Sequence, residues 1–262
     1  MSIPVRALGT SPALLVLLDY DGTLVGLKSR PELARLSSRR RSLLEALGRT
    51  AVIAVVTGRS LAESRKLVGI PTIAYIGNHG LEISYGRRTW VHPGAKERQK
   101  DLAAVLRTIR ARTAGFAGMI VEDKGLTAGI HYRLLARRDV GRLERIVREE
   151  IERRGPALRT TRGRKVVEIR PAVEWDKGHA TLEFLRWLGP AAGRRLIYIG
   201  DDRTDEDAFR ALRRIGTTVL VGAAARSAAE FRLPGVNQVW SLLGELAVLR
   251  ASRDIRPGPR RR

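Results

Sequence analysis

Apolar positions along this chain fall into two rhythms. Five short runs are apolar almost throughout: Leu14–Leu18, Ala51–Val56, Thr72–Ile76, Leu196–Ile199 and Thr218–Val221. Runs without an alternating polar position read as strands buried on both faces, as in a parallel sheet. Several end in glycine or a small polar residue: Thr57-Gly58, Gly77-Asn78, Gly200-Asp201 and Gly222. Between them, apolar residues recur at helical spacing. Ser37 to Leu47 carries Leu43, Leu44 and Leu47, with Gly48 as a stop, and Lys177 to Leu188 carries Ala180, Phe184, Leu185 and Leu188. Thr204 is placed to cap a further helix, in which Asp205 and Glu206 favour the positive end and Ala208, Phe209 and Leu212 form the apolar face. This alternation predicts an α/β core with helices on both faces of a parallel sheet.

The middle of the chain has a different rhythm. Lys96 to Thr113 reads as a helix through Leu102, Val105, Leu106 and Ile109, and Asp139 to Arg154 as another through Leu143, Ile146, Val147 and Ile151. Met119–Glu122 and Ala128–Arg133 read as a hairpin about Lys124-Gly125, and Leu158–Thr161 and Lys165–Arg170 as a second about Arg162-Gly163. The expectation is an αββαββ unit of α+β type inserted in the α/β core. Its boundaries divide the chain into core over 1–95, insert over 96–173, core over 174–250 and a basic, disordered tail over 251–262.

Composition narrows the function classes. The 262 residues contain no cysteine, which removes disulfides, thiol catalysis and thiolate-bound zinc. No run approaches the about 18 apolar residues that span a membrane, and the first residues lack a signal-peptide core, so a cytoplasmic protein without membrane partners is the expectation. Lys and Arg total 49 against 27 Asp and Glu, a net charge of +22. That balance fits a polyanion partner, a field that gathers small anionic substrates, or an arginine-rich composition without functional meaning. Aromatic residues are only 5%, which argues against a base-stacking single-strand binder; no nucleic-acid partner is expected despite the high positive charge.

Chemistry concentrates at predicted strand ends and helix starts. The first apolar run ends in Asp19-Tyr20-Asp21-Gly22-Thr23; Thr57-Gly58-Arg59, Lys177-Gly178 and Gly200-Asp201-Asp202-Arg203-Thr204-Asp205 follow in order. Each segment is also compatible with an ordinary turn or a solvated helix start. Together they hold what phosphoryl transfer through an aspartate needs. A carboxylate can attack phosphorus and a second can protonate the leaving oxygen, then activate water. A hydroxyl and an ammonium can hold phosphoryl oxygens, and further carboxylates can complete an oxygen-rich cation site.

The motifs DxDGT, TGR, KG and GDDxTDE in this order resemble those of haloacid dehalogenase superfamily phosphatases. The resemblance implies a Rossmann-like parallel-sheet core in which Asp19 is the nucleophile and Asp21 the general acid/base. It makes Thr57 a phosphoryl ligand and Lys177 the group that steadies nucleophile and phosphate. It also implies Mg²⁺ on Asp19, on the backbone carbonyl of Asp21 and on Asp201, with Asp205 assisting from behind or through water. An insertion between Arg59 and Lys177 is, in that superfamily, a cap that closes over the active site and selects substrates.

Further segments narrow the resemblance. Gly77-Asn78-His79-Gly80-Leu81-Glu82, Val121-Glu122-Asp123-Lys124-Gly125 with His131-Tyr132-Arg133, and Val166-Val167-Glu168-Ile169-Arg170-Pro171 are similar to the trehalose-6-phosphate phosphatase family. The similarity runs from Leu14 to about Leu243. It implies a Mg²⁺-dependent phosphatase acting on a small-molecule sugar phosphate. Glu122, Lys124, Arg133 and Glu168 would contact the sugar from the cap, and Arg59, Asn78 and His79 would face them from the core. The family's lysine after glycine in G-K-x-V-x-E is Arg164 here, followed by Lys165, so either of these can be the basic substrate contact. Phosphatases for other sugar phosphates and a polyanion-binding protein are the rival readings. A monomer is the expected state.

Overall fold

The run after Ser11 is uniformly apolar because both of its faces are covered. In the computed structural model, which describes residues 2–28, 31–163, 165–224 and 226–254, the strands in chain order are β1 (Ala13–Leu18), β2 (Val52–Val56), β3 (Ala74–Gly77), β4 (Glu82–Tyr85), β5 (Arg88–Val91), β6 (Ile120–Asp123), β7 (Ala128–His131), β8 (Leu158–Gly163), β9 (Val166–Pro171), β10 (Arg194–Gly200), β11 (Thr217–Val221) and β12 (Phe231–Leu233). The helices are α1 (Val5–Gly9), α2 (Ser38–Gly48), α3 (Leu61–Val68), α4 (Pro93–Glu97), α5 (Gln99–Arg112), α6 (Arg137–Arg153), α7 (Lys177–Leu188), α8 (Asp205–Leu212) and α9 (Val236–Asp254).

Among the described residues, an eight-stranded sheet has the order β12-β11-β10-β1-β2-β3-β4-β5. It is parallel from β12 to β3 and turns antiparallel at β4. Leu14, Val16 and Leu18 of β1 pack with Leu44 and Leu47 of α2 and with Val239, Leu243 and Leu246 of α9. Leu15 and Leu17 point the other way, into Ala180 and Phe184 of α7 and Ala208, Phe209 and Leu212 of α8. Each large side chain so buried contributes about 1.5–3 kcal/mol. Leu18 is aligned with Ile199 on one side and Val55 on the other. Asp19, Gly200-Asp201 and Val56-Thr57 therefore leave the sheet at one edge, beside the central strand where the chain's direction of travel reverses.

Two compact units result. One comprises the residues up to Trp90 together with those from Trp175 onward; the other is Val91–Glu174. The second unit is an antiparallel sheet of order β6-β7-β9-β8. Ala128, Ile130, Val167 and Ile169 on one face of this sheet bury against Leu102, Val105, Leu106 and Ile109 of α5 and Leu143, Ile146 and Val147 of α6. The α/β sheet with a separate α+β insert is the expected fold class.

Local readings differ in places. Asp202, not Thr204, caps α8: its Oδ1 accepts from the Thr204 and Asp205 backbone N–H groups at 2.8 and 3.2 Å, and the Thr204 hydroxyl donates to it too. The helix expected over Lys96–Thr113 is two, because Pro93 opens a short turn and the near-zero ψ of Arg98 interrupts the spiral. Ordered helix continues through 251–254, where a disordered tail was expected, because α9 carries on to Asp254. The rest of that tail lies outside the described residues. No helix among the described residues is long and apolar enough to cross a membrane.

Candidate active site

The turn after β1 is built by its own backbone. Asp19 N–H continues the ladder to Ile199 O at 2.9 Å, while Gly22 N–H donates to Val25 O at 2.7 Å and Leu24 and Val25 N–H both donate to Tyr20 O. Gly22 has φ +93°, and a Cβ there would stand 2.0 Å from Asp201 Oδ2. Glycine is thus required twice at this position, for the left-handed backbone and for the close approach. It lets the Asp201 carboxylate settle over the turn, where Thr23 Oγ1 donates to Asp201 Oδ1 at 3.1 Å.

Lys177 opens α7, whose cap is the Asp176 side chain accepting from His179 N–H at 2.9 Å. Its ammonium donates to Asp19 Oδ1 at 2.7 Å and to Asp205 Oδ1 at 2.8 Å, and its side chain is only 2% exposed. Asp205 is fully enclosed. Tyr198 Oη also donates to its Oδ1, at 2.8 Å, and its Oδ2 accepts from the backbone N–H groups of Asp201 and Asp202 at 3.0 and 3.1 Å. Each oxygen of Asp205 therefore has two partners, which fills a carboxylate's capacity. Asp205 tethers the loop and the lysine together.

Burial pushes the Asp19 carboxyl well above its ordinary range, against the pull of Lys177, and Asp205 and Asp201 push it further. Burial, then the charges of Asp205 and Asp202, push Asp201 up to about 7. Burial alone would lower Lys177, but Asp19 and Asp205 outweigh it and hold the ammonium well above its ordinary range. Carboxylate oxygens of Asp19, Asp201 and Asp205 all lie within 4.8 Å of one another. Clustered hard oxygens whose ionised forms are crowded fit a small divalent cation, which would relieve that crowding.

Beside this cluster, Thr57 caps the end of β2. Its N–H donates to Ile76 O at 2.8 Å, and its Oγ1 accepts from Arg59 N–H at 3.2 Å. Arg59 grips both oxygens of Asp21, with Nε 2.6 Å from Oδ2 and Nη2 2.8 Å from Oδ1, and its Nη1 bonds Glu63 one helical turn on. Asn78 and His79 sit in a tight turn with φ +48° and +57°. Their N–H groups donate to Arg59 O and Thr57 O at 2.6 and 3.0 Å. Asn78 is fully buried and its amide donates to Glu82. A Cβ at Gly58 would stand 2.5 Å from the His79 ring, so the glycine of Thr57-Gly58-Arg59 makes room for this imidazole.

The unit Val91–Glu174 carries its own polar cluster on the sheet face opposite the helices. Glu122 of β6 and Glu168 of β9 flank Gly129 of β7 in one cross-strand row. Lys124 Nζ lies 3.8 Å from Glu122 Oε2 and 3.4 Å from Glu168 Oε1. His131 Nε2 lies 2.8 Å from Glu122 Oε2. Arg133 is exposed beyond the end of β7. Lys165, at φ +66°, holds its ammonium 6.0 Å over the Tyr132 ring. Arg164 lies outside the described residues. Sequence reasoning gave no role to Glu63, Tyr198 or His131. Glu63 had a signal, the i,i+4 spacing from Arg59; Tyr198 had none, because its partner is met only across packed elements.

A trehalose-phosphatase family model matches residues 17–236. The chain belongs to the trehalose-phosphatase family. A trehalose-phosphate phosphatase of Mycobacterium bovis is 35% identical over 275 residues, covering 98% of this chain and 67% of that protein. An uncharacterized glycosyl hydrolase of Mycobacterium tuberculosis is 39% identical over 259 residues, covering 91% of this chain. The chain spans only 18% of the length of that relative. The crystal structure of a trehalose-6-phosphate phosphatase related protein superposes with a TM-score of 0.81 at 25% identity, over 91% of this chain and 99% of that one. Trehalose-phosphatase family membership thus covers both units.

Proposed function

We propose that this chain hydrolyses trehalose 6-phosphate to trehalose and inorganic phosphate, with Mg²⁺ as cofactor. The observation that carries the reading is the buried ammonium of Lys177, which holds Asp19 beside the Asp201 and Asp205 carboxylates at the edge of a parallel sheet. An Asp19 oxygen attacks phosphorus and the phosphorus–oxygen bond to the sugar breaks. Asp21 gives its proton to the departing sugar oxygen. Asp21 then takes a proton from water, whose oxygen attacks the aspartyl-phosphate, releasing phosphate and restoring Asp19. Arg59 competes for Asp21 in the chain alone; phosphoryl oxygens of the substrate draw its guanidinium away and free the carboxyl to act.

Asp19, Asp201 and the backbone carbonyl of Asp21 would hold the cation. Asp205, with both oxygens filled, supports them by fixing the loop. Bound Mg²⁺ supplies neutralisation of phosphoryl charge. Thr57 and Lys177 hold the transferred group. Asn78 joins the turn after β3 to Glu82 and so sets His79 and Arg59 in place. Glu122, Lys124 and Glu168 present carboxylates and an ammonium on one sheet face, the donor and acceptor mixture that a polyol requires, and Arg133 with Arg164 or Lys165 adds positive charge. The protein acts as a cytoplasmic monomer without membrane or nucleic-acid partners.

Phosphate release from trehalose 6-phosphate, glucose 6-phosphate and sucrose 6-phosphate, each with and without Mg²⁺, tests the reading. Release from the trehalose ester in clear preference, and only with Mg²⁺, is the expected result. Preference for another ester would discard the trehalose assignment and keep the chemistry. Absence of release from all three would overturn both.

A further inference from the structure

We infer that His131 is a specificity-determining positioning residue, which fixes Glu122 for recognition of sugar hydroxyls. The inference rests on the reading of Glu122 as a sugar contact. In the β6–β7 register, Ile120 is opposite His131 and Glu122 is opposite Gly129. His131 and Glu122 are therefore diagonal neighbours on one face of the sheet, and a side chain at position 129 would stand between them. Gly129 leaves that space open: a Cβ there would lie 2.9 Å from His131 Nε2 and 3.2 Å from Glu122 Oε2. The imidazole crosses the gap and meets the carboxylate at 2.8 Å. The absent side chain and the bridging ring are two parts of one arrangement.

Its consequence concerns Lys124. Glutamates 122 and 168 flank this ammonium, and Glu122 Oε2 is shared between Lys124 Nζ at 3.8 Å and His131 Nε2 at 2.8 Å. The His131 bond fixes that oxygen from a second direction. The pair stays partly open to solvent, with side chains 30% and 23% exposed. Acceptors held in one place bind a polyol without first losing rotamer freedom, which is preorganisation. The His131–Glu122 bond is thus a device for recognising the sugar.

The test compares His131→Ala, His131→Gln, Gly129→Ala and Glu122→Gln with the wild type, on trehalose 6-phosphate and on p-nitrophenyl phosphate. Glutamine returns a nitrogen donor near the place of Nε2. His131→Ala is expected to raise KM for the trehalose ester about tenfold, the scale of one hydrogen bond to a charged group, with a much smaller change in kcat. Its loss on p-nitrophenyl phosphate is expected to be several-fold smaller, which also reports that the variant folds. His131→Gln should recover most of the KM, and Gly129→Ala should resemble His131→Ala. If Glu122→Gln raises KM and His131→Ala does not, or if glutamine rescues no better than alanine, the inference is wrong and the sugar reading stands. If Glu122→Gln leaves KM for the trehalose ester unchanged, the sugar reading of Glu122 fails and the inference falls with it.

Discussion

Tyr198 and Lys177 donate to the same oxygen of Asp205, each at 2.8 Å. One residue comes from the middle of β10 and the other from the first turn of α7, so this single carboxylate oxygen joins the sheet to the helix that delivers the site's ammonium. Tyr198→Phe removes one of the two donors and leaves a buried charge short of a partner. We predict a loss of about 1.5–3 kcal/mol in unfolding free energy, the scale for a hydrogen bond to a charged group. Denaturant melts of the two proteins measure it; equal midpoints would show that the hydroxyl is dispensable.

Asp19→Asn should leave the fold intact and abolish turnover. The amide is isosteric and relieves one of the crowded carboxylates, so thermal stability should hold or rise. Phosphate release with saturating ester should fall by at least about a thousandfold, since Asp19 is the proposed nucleophile and an amide cannot take that role. Residual turnover within tenfold of the wild type would remove Asp19 from the nucleophile's role.

Gly22→Ala tests the contact between the turn and Asp201. Its left-handed φ and the 2.0 Å approach to Asp201 Oδ2 both forbid a side chain. Asp201 must therefore move, and the Mg²⁺ concentration for half-maximal activity should rise about tenfold or more. A Mg²⁺ titration with unchanged midpoint would show that Asp201 does not serve the cation.

Stability of the metal-free chain should depend on pH in a defined direction. Asp201 is raised from 3.8 to about 7 by burial and by Asp205 and Asp202. Between those values the folded chain holds a proton that the unfolded chain has released. Unfolding then releases protons, so this group's contribution falls as pH rises through the window. Melting temperature in chelator should decline from about pH 4 to about pH 7, and the gain on adding Mg²⁺ should grow over the same range, because the cation binds the ionised form. Asp201→Asn should flatten both trends. If chelator profiles of wild type and Asp201→Asn coincide, the crowding lies elsewhere.

Glu168→Ala should weaken trehalose 6-phosphate far more than p-nitrophenyl phosphate. Glu168 Oε1 lies 3.4 Å from Lys124 in a unit separate from the one that bears Asp19. KM for the sugar ester should rise about tenfold. Equal losses on both substrates would assign Glu168 to stability.

Which parts of this protein could be read without coordinates follows from how local each signal is. The run Leu14–Leu18 identifies a strand buried on both faces, because only such a strand lacks polar alternation, and the structure covers it with α2 and α9 on one side and α7 and α8 on the other. The order of the carboxylate and lysine segments likewise predicts that these groups meet, since a parallel sheet brings strand ends to one edge, and Asp19, Asp201, Asp205 and Lys177 do come together there. Short or weakly patterned pieces escaped: the hairpin of β4 and β5, the edge strand β12 and the helix α9 take their form from packing rather than from local periodicity. Asp202 displaced Thr204 as the cap of α8 because hydrogen-bond geometry, not residue rank, selects a cap. The bidentate grip of Arg59 on Asp21, the bonds of Lys177 to Asp19 and Asp205, and the path of His131 across Gly129 to Glu122 join residues far apart in the chain or set on different strands. Sequence by itself determined the strongly patterned elements and the inventory of reactive groups, because these depend on neighbours along the chain. Only the tertiary structure decided which partner each charge takes, because a buried charge is satisfied by whatever donor the packing of separate elements brings within about 3 Å.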